Sequence, residues 1–226
     1  MFKLKLKYQM SDTILIGGLL AFAGGFMDAY SYLVRGEVFA NAQTGNMVLL
    51  GINLFRLDAS KCILYLIPIV SFTCGIIIAE YIKSKFKENT FIHWRQIIVL
   101  TEIVVLFLVG FIPQGNLNTI ANVLISFVCS LQVQSFRKVK GLACATTMCT
   151  GNLRSATENF FKYKSTKDKT FLLNSFYYYL IIIIFILGAI FGALCSSMLL
   201  VKSIWIASFT SLIAFLFMLL KPEDIA

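Results

Sequence analysis

Long apolar runs separated by short polar and basic stretches set the pattern of this chain. Crossing a hydrocarbon core as a helix takes about 20 mostly apolar residues. Five runs reach or approach that length: residues 12–34, 60–82, 97–112, 117–136 and 171–200. The last is long enough to tilt or to extend past the bilayer. A sixth, 204–220, is short but almost wholly apolar. Two semi-polar stretches, 44–55 and 150–161, are too short to cross alone and fit half-helices or re-entrant segments. The pattern predicts an all-α integral membrane protein with six transmembrane helices and two short half-helices, in a single membrane domain over residues 1–226.

Composition agrees with that reading. Hydrophobic residues make up 58% of the 226 and charged residues 14%, more apolar and less charged than a soluble domain, so the surplus apolar surface must face lipid. The net charge of +9 raises nucleic acid as a partner, but the Lys and Arg residues lie between apolar runs and form no continuous face. No nucleic-acid partner is expected. The bias of basic residues toward the cytoplasmic side sets the orientation. Lys3, Lys5 and Lys7 precede the first span, and Lys83, Lys85, Lys87 and Arg95 follow the second. Arg137, Lys138, Lys140, Arg154, Lys162, Lys164, Lys167 and Lys169 follow the fourth, and Lys221 follows the sixth. Six spans with both termini cytoplasmic put these sixteen on one side and leave Arg35, Arg56, Lys61 and Lys202 on the other. Counting both short stretches as full spans gives eight, and puts the 83–95 cluster on the wrong face. The basic N-terminus and the apolar run after it lack a small-residue cleavage site, so that run is expected to be a retained first span in the plasma membrane.

A duplication is the most informative feature. Thr44-Gly45-Asn46 recurs 106 residues later as Thr150-Gly151-Asn152. Each copy follows an apolar helix and opens a short stretch leading to two more spans. Three full spans per copy force the second copy upside down, giving an inverted 3+3 repeat with halves of about 12–112 and 117–220. Such repeats place solute sites near the midplane between broken helices. Half-helix N-termini meeting there from opposite faces could bind an anion, coordinate a polar solute or exclude cations. The plain structural alternative makes Thr44 and Thr150 helix N-caps, with Asn46 and Asn152 tying down loops.

The stretch Gly24-Gly25-Phe26-Met27-Asp28-Ala29-Tyr30-Ser31-Tyr32-Leu33, then Gly36, Val38-Phe39 and Thr44 to Gly51, resembles the YoaK-type family of bacterial membrane proteins. The segment from Leu131-Gln132 to Thr150-Gly151-Asn152-Leu153-Arg154 resembles that family's second signature. The resemblance covers nearly the whole chain and implies a multi-span inner-membrane protein with a domain of unknown function. It carries the expectation of a Gln-Asn pair where this sequence has Gln132-Val133, so a polar contact there is either absent or rebuilt by Gln134.

Other polar residues inside the runs are candidates for chemistry. Asp28 shares a helical stripe with Gly17, Ala21, Gly24 and Tyr32, so small residues would admit a neighbouring helix and point the carboxylate inward. Ionisable groups at depth are costly and tend to couple protons or cations. The 106-residue spacing puts Gln134 opposite Asp28. Glu102 is read either as a second coupling group or as a side chain reaching the interface. Arg154 reads as a topology signal, and Gly188 and Gly192 as a packing face. The six cysteines carry no paired spacing, so no disulfide is expected. Cys144, Met148 and Cys149 alone do not make a metal site. His93, the one histidine, lies in a basic loop and reads as solvated. No catalytic triad, phosphate loop or dinucleotide motif is present, so no enzyme and no cofactor are expected.

The expected function is a small transporter or channel for a small polar or ionic solute. Its candidate site comprises Asp28, Thr44, Gly45, Asn46, Gln132, Gln134, Thr150, Gly151 and Asn152, with coupling through Asp28 and Glu102. A non-transporting scaffold, sensor or partner subunit is the alternative, and the pattern is compatible with a homo-oligomer. A polar cavity between the two Thr-Gly-Asn segments would favour transport, and a dry, filled interface would favour a scaffold.

Overall fold

The computed structural model describes residues 10–87 and 92–220. Lys3, Lys5, Lys7 and Lys221, used above for orientation, lie outside the described residues. The described chain forms eight α-helices: α1 (Ile14–Val34), α2 (Gln43–Phe55), α3 (Ala59–Phe86), α4 (Trp94–Val109), α5 (Asn118–Ser135), α6 (Cys149–Thr166), α7 (Lys169–Leu199) and α8 (Ile204–Leu219). A two-stranded ribbon, β1 (Lys138–Val139) with β2 (Leu142–Ala143), interrupts them. Its turn residues, Lys140 and Gly141, both have positive φ, as a tight two-residue hairpin requires.

Local capping sets most helix starts. Thr13, Asp58 and Asp168 each accept a backbone N–H from the first turn of α1, α3 and α7. α4 starts differently from the expectation for His93. Rather than standing solvated in a loop, His93 is the N-cap. Its Nδ1 accepts from Arg95 N, while its own N–H donates to Gln96 Oε1 at 2.8 Å. Thr44 and Thr150 are not caps, because α2 and α6 begin one residue earlier after Ala42 and Met148, and neither start has a side-chain cap.

Only a neutral imidazole can accept at Nδ1. Burial and the Arg95 charge accordingly hold the His93 pKa below its ordinary 6.5. The folded state therefore binds this proton less readily than the unfolded one. The stability His93 contributes is complete above pH 6.5 and is lost as pH falls through that value to the lower folded one. Thermal melts in detergent from pH 8 to pH 5 should show a decline that is shallower in His93→Asn, which caps without titrating. Superimposable pH profiles would remove His93 as a contributor.

α1 is the central helix. α7 lies beside it in the same direction, with Gly188 against Phe22 and Gly192 against Phe26. At Leu200 the backbone enters the positive-φ region (φ 49°), and a short 3-10 turn (Leu200–Ser203) reverses the chain. α8 then returns antiparallel to α1, fixed by Tyr30 Oη donating to Val201 O at 3.1 Å. α5 also runs opposite to α1, with Gln132 Nε2 on Leu20 O and Asn122 Nδ2 on Arg35 O. α3 follows α5, with Ser71 Oγ donating to Val123 O at 2.7 Å. α4 pairs with α8, where Trp205 Nε1 donates to Phe107 O and Ser208 Oγ to Ile103 O.

Among the described residues, three stretches are long and apolar enough to cross a membrane: Ile14–Val34, Ala59–Phe86 and Lys169–Leu219, the last containing α7, the reversal and α8. α4 is shorter, at 16 residues, and α5 carries Asn118, Asn122, Ser126 and Gln132 among its apolar positions. Only Tyr65, Pro68, Gly75 and Ala79 of the 28 residues of α3 are buried. So much exposed Ile, Leu, Val and Phe has no place in water, and lipid is the solvent that fits it.

Two arginines, Arg35 buried and Arg95 partly buried, hold the ends of the bundle. Arg35, expected as an outward-facing topology residue, is fully buried. Its guanidinium donates to Tyr30 Oη, Asn118 Oδ1 and the carbonyls of Val109, Ile112 and Pro113, at 2.8 to 3.3 Å. At the opposite end Arg95 ties Asp12 and Ser11 to the carbonyl of Ser135. Glu102 does not reach an interface. It is fully buried in the α4–α8 seam, where Ser211 Oγ donates to its Oε1 at 2.7 Å.

Candidate functional site

Two loops turn back into the bundle, one after α1 and one after α5. The first reverses at Gly36 (φ 89°) and Glu37 (φ 59°) and runs back along α1. Its N–H groups are met by α1 side chains. Ala40 N donates to Ser31 Oγ at 3.1 Å, Asn41 N to Asp28 Oδ1 at 2.9 Å and Ala42 N to the same oxygen at 3.3 Å. α2 thus starts at the level of Asp28, about 9 Å below the end of α1 at a rise of about 1.5 Å per residue. The second loop passes through the β ribbon and then runs up the other side of α1. Val139 packs against Gly17 and Thr147 against Gly24. The small-residue stripe carrying Asp28 therefore receives a loop at closest approach, with Ile181 and Phe185 of α7 beside it.

The Asn of each Thr-Gly-Asn does the same work. Asn46 Nδ2 donates to Phe39 O at 2.6 Å, and Asn152 Nδ2 donates to Ala145 O at 2.6 Å, each reaching seven residues back. These bonds fasten a half-helix to the loop leading into it. Asn46 also accepts from Phe39 N and donates to Gln43 Oε1. Gly45 lies against the Phe39 ring, where a Cβ would come within 2.9 Å of the ring carbons.

Between the starts of α2 and α6 lies a cavity of about 780 Å³. Its polar lining is Asp28, Asn41, Gln43, Thr44, Thr147, Cys149 and Thr150, with Gly151 beside them. Tyr32, Phe39, Phe72 and Phe185 supply rings, and the exposed Met47 and Met148 stand at its rim. Asp28 is 7% exposed. One of its oxygens takes the two loop N–H groups, and Oδ2 has no hydrogen-bond partner among the described residues. Both amide atoms of Asn41 and the hydroxyl of Thr147 are likewise buried without a partner there.

Of the residues singled out in the sequence, Asp28, Thr44, Thr150 and Gly151 line the cavity. Gly45, Asn46 and Asn152 stand behind it as supports. Gln132 is fully buried beneath the second loop, donating to Leu20 O and Thr146 Oγ1 at 3.0 Å each. Gln134 lies at the end of α5, bonded to Glu80, and is no counterpart of Asp28. The loop at 136–148 is five residues longer than the one at 35–42, so a spacing that matches the two half-helices misplaces the helices before them. Glu102 lies outside the cavity lining. Asn41, Gln43, Thr147, Phe72 and Phe185 were not foreseen. The first three flank the half-helix starts and were within reach of the motif, whereas the rings come from α3 and α7 and carry no sequence signal. Among the described residues no His, Cys, Asp and Glu cluster could hold a metal, and all six cysteines are free.

These features belong to a multi-pass, all-α membrane protein in which two loops that turn back into the bundle share one cavity. Residues 16–217 match the family described as "Protein of unknown function (DUF1275)", and the chain belongs to that family. It is 30% identical over 191 residues, 78% of this chain and 80% of the relative, to the UPF0700 transmembrane protein YoaK of Bacillus subtilis (strain 168). No solved structure matches.

Proposed function

We propose that the protein is a small-solute transporter or channel of the plasma membrane, built as an inverted 3+3 repeat. In this reading α1, α3, α4, α5, α7 and α8 cross the bilayer, α2 enters as a half-helix from one face, and α6, 18 residues long with Lys162 and Lys164 near its end, enters from the other and leaves the apolar layer at that end. The observation that carries it is the cavity itself, where the starts of both half-helices meet beside a buried carboxylate. The packing supports the repeat. Exchanging α1 to α4 with α5 to α8 maps the α1–α7 contact onto α5–α3, α1–α8 onto α5–α4, and α2–α3 onto α6–α7, while α4–α8 maps onto itself. The matching Asn46 and Asn152 ties support it at atomic scale. Both termini are cytoplasmic in this reading. Buried Arg35 is accounted for by its own hydrogen bonds, which leaves three basic residues on the outer side.

A lipid-embedded carboxylate persists when it serves a solute or ion path. Reconstitution into liposomes with a panel of labelled solutes tests the reading. Accumulation or exchange of one solute is expected, with flux reduced to the protein-free background in Asp28→Asn. That variant keeps the acceptor for Asn41 and Ala42 N–H, so its melting temperature should stay close to wild type. An Asp28→Asn protein that is destabilised, with flux tracking only the folded fraction, would make the site a packing device and the protein a scaffold.

A further inference from the structure

We propose that the cavity takes a small zwitterion, an ammonium and a carboxylate on an apolar body, as in a free amino acid. This rests on the reading above that the cavity is a solute site. Its lining holds one carboxylate, and none of its residues is Lys, Arg or His. Asp28 is nine-tenths buried, its Oδ2 has no partner among the described residues, and it lines the space. A carboxylate in that position calls for a positive partner, and the protein places no cationic side chain there.

The second pole is the start of α6. No side chain caps this 18-residue helix. Its first three residues, Cys149, Thr150 and Gly151, all line the cavity. The N–H groups there are the orphans every helix start carries, with a partial charge of roughly +0.5. The hydroxyl of Thr147, a residue 7% exposed, has no partner among the described residues and sits beside them. The start of α2 differs because the Asp28 carboxylate already lies against it, taking the N–H groups of Asn41 and of the N-cap residue Ala42, while Gln43 N and Gly45 N donate to the carbonyls of Asn41 and Ala42. The cavity is thus left with one negative and one positive pole.

A simple cation would answer Asp28 and leave the α6 start unmet. A simple anion would answer the helix and meet the charge of Asp28. A zwitterion answers both and enters with no net charge, which lowers the cost of leaving water. Tyr32, Phe39, Phe72 and Phe185 provide an apolar wall for its body, the first two stacked with centroids 4.9 Å apart. The volume of about 780 Å³ falls in the range of small-molecule sites.

Calorimetry on the detergent-purified full chain tests this with L-leucine and L-phenylalanine. Each is compared with its decarboxylated amine (isoamylamine, phenethylamine) and its deaminated acid (4-methylpentanoate, 3-phenylpropionate). At least one amino acid should bind ten-fold or more tightly than both of its halves. Asp28→Asn should erase the advantage over the acid. Gly151→Asp should erase the advantage over the amine, because its carboxylate occupies the α6 start. A Cβ at Gly151 meets nothing within 4 Å, and an acid in the first turn suits a helix, so this variant should fold. The proposal is overturned if a single-charge half binds as well as the amino acid, if Gly151→Asp leaves amino-acid binding unchanged, or if none of the six probes binds. Liposome flux separates the two readings. Amino-acid binding without flux would remove transport and leave the site chemistry. Flux of another solute without amino-acid binding would leave transport and remove the zwitterion.

Discussion

Replacing Arg35 by alanine is expected to cost about 4 kcal/mol of stability or more, judged from the ~1–3 kcal/mol typical of each buried polar group left without its partner. The guanidinium is fully buried and, among the described residues, pairs with no carboxylate. Its counter-charge is the end of α4, where the carbonyls of Val109, Ile112 and Pro113 converge on it. Such carbonyls carry the negative end of the helix dipole. Removing the cation leaves them facing apolar surroundings, and also takes from Tyr30 Oη the bond it accepts, leaving it only its donation to Val201 O. Lysine should recover only part of the loss, because one ammonium with three donors cannot reproduce a planar fork that reaches five acceptors. Thermal or SDS titration in micelles measures the difference. A loss below about 1 kcal/mol, comparable to an exposed pair, would mean that the bundle end is held by apolar packing alone.

The same residue shows where sequence reading stops. Arg35 and Lys202 look alike as basic residues beside apolar runs, and nothing local separates a buried clamp from a topology signal. The carbonyls that hold Arg35 belong to a helix end more than seventy residues away. The helices were legible because lipid forces long apolar runs and leaves their ends basic, so the described helices fall on the predicted runs within a few residues, except α6, which continues to Thr166. The paired helix starts at Gln43 and Cys149 were legible because Thr-Gly-Asn occurs twice in matching contexts. The role inside the motif was only partly so. A side-chain tie from Asn46 to Phe39 O needs the loop's path, and that path depends on a five-residue difference in loop length that periodicity does not reveal. Asp28 was found from cost alone, since a carboxylate in a hydrocarbon run must have a partner. Its partner is the loop before α2, not the Thr44 turn, because Asn41 and Ala42 N–H come first along the descending chain.

Gly188→Leu should separate α1 from α7, losing about 3 kcal/mol and solute binding together. Here the close neighbour is backbone. A Cβ at Gly188 would overlap the Phe22 carbonyl oxygen, and one at Gly25 would overlap the carbonyl oxygen of Phe185. Neither helix can rotate a side chain aside, so the axes must move apart along much of the contact. α1 carries Asp28, while α7 carries Phe185 and Ala189 on the cavity wall, so the same movement widens the site. In lipid no hydrophobic drive returns the helices to contact, which makes close backbone packing the main attraction lost. Gly51 provides the opposite case within α2, since a Cβ there meets nothing within 4 Å. Gly51→Ala should raise stability by about 0.4–1 kcal/mol through lower unfolded-state entropy and leave binding unchanged. Melting curves and ligand calorimetry on both variants give the test. Equal and small effects at the two glycines would mean that the α1–α7 contact yields easily, and a Gly188→Leu protein that melts early yet binds normally would separate this seam from the cavity.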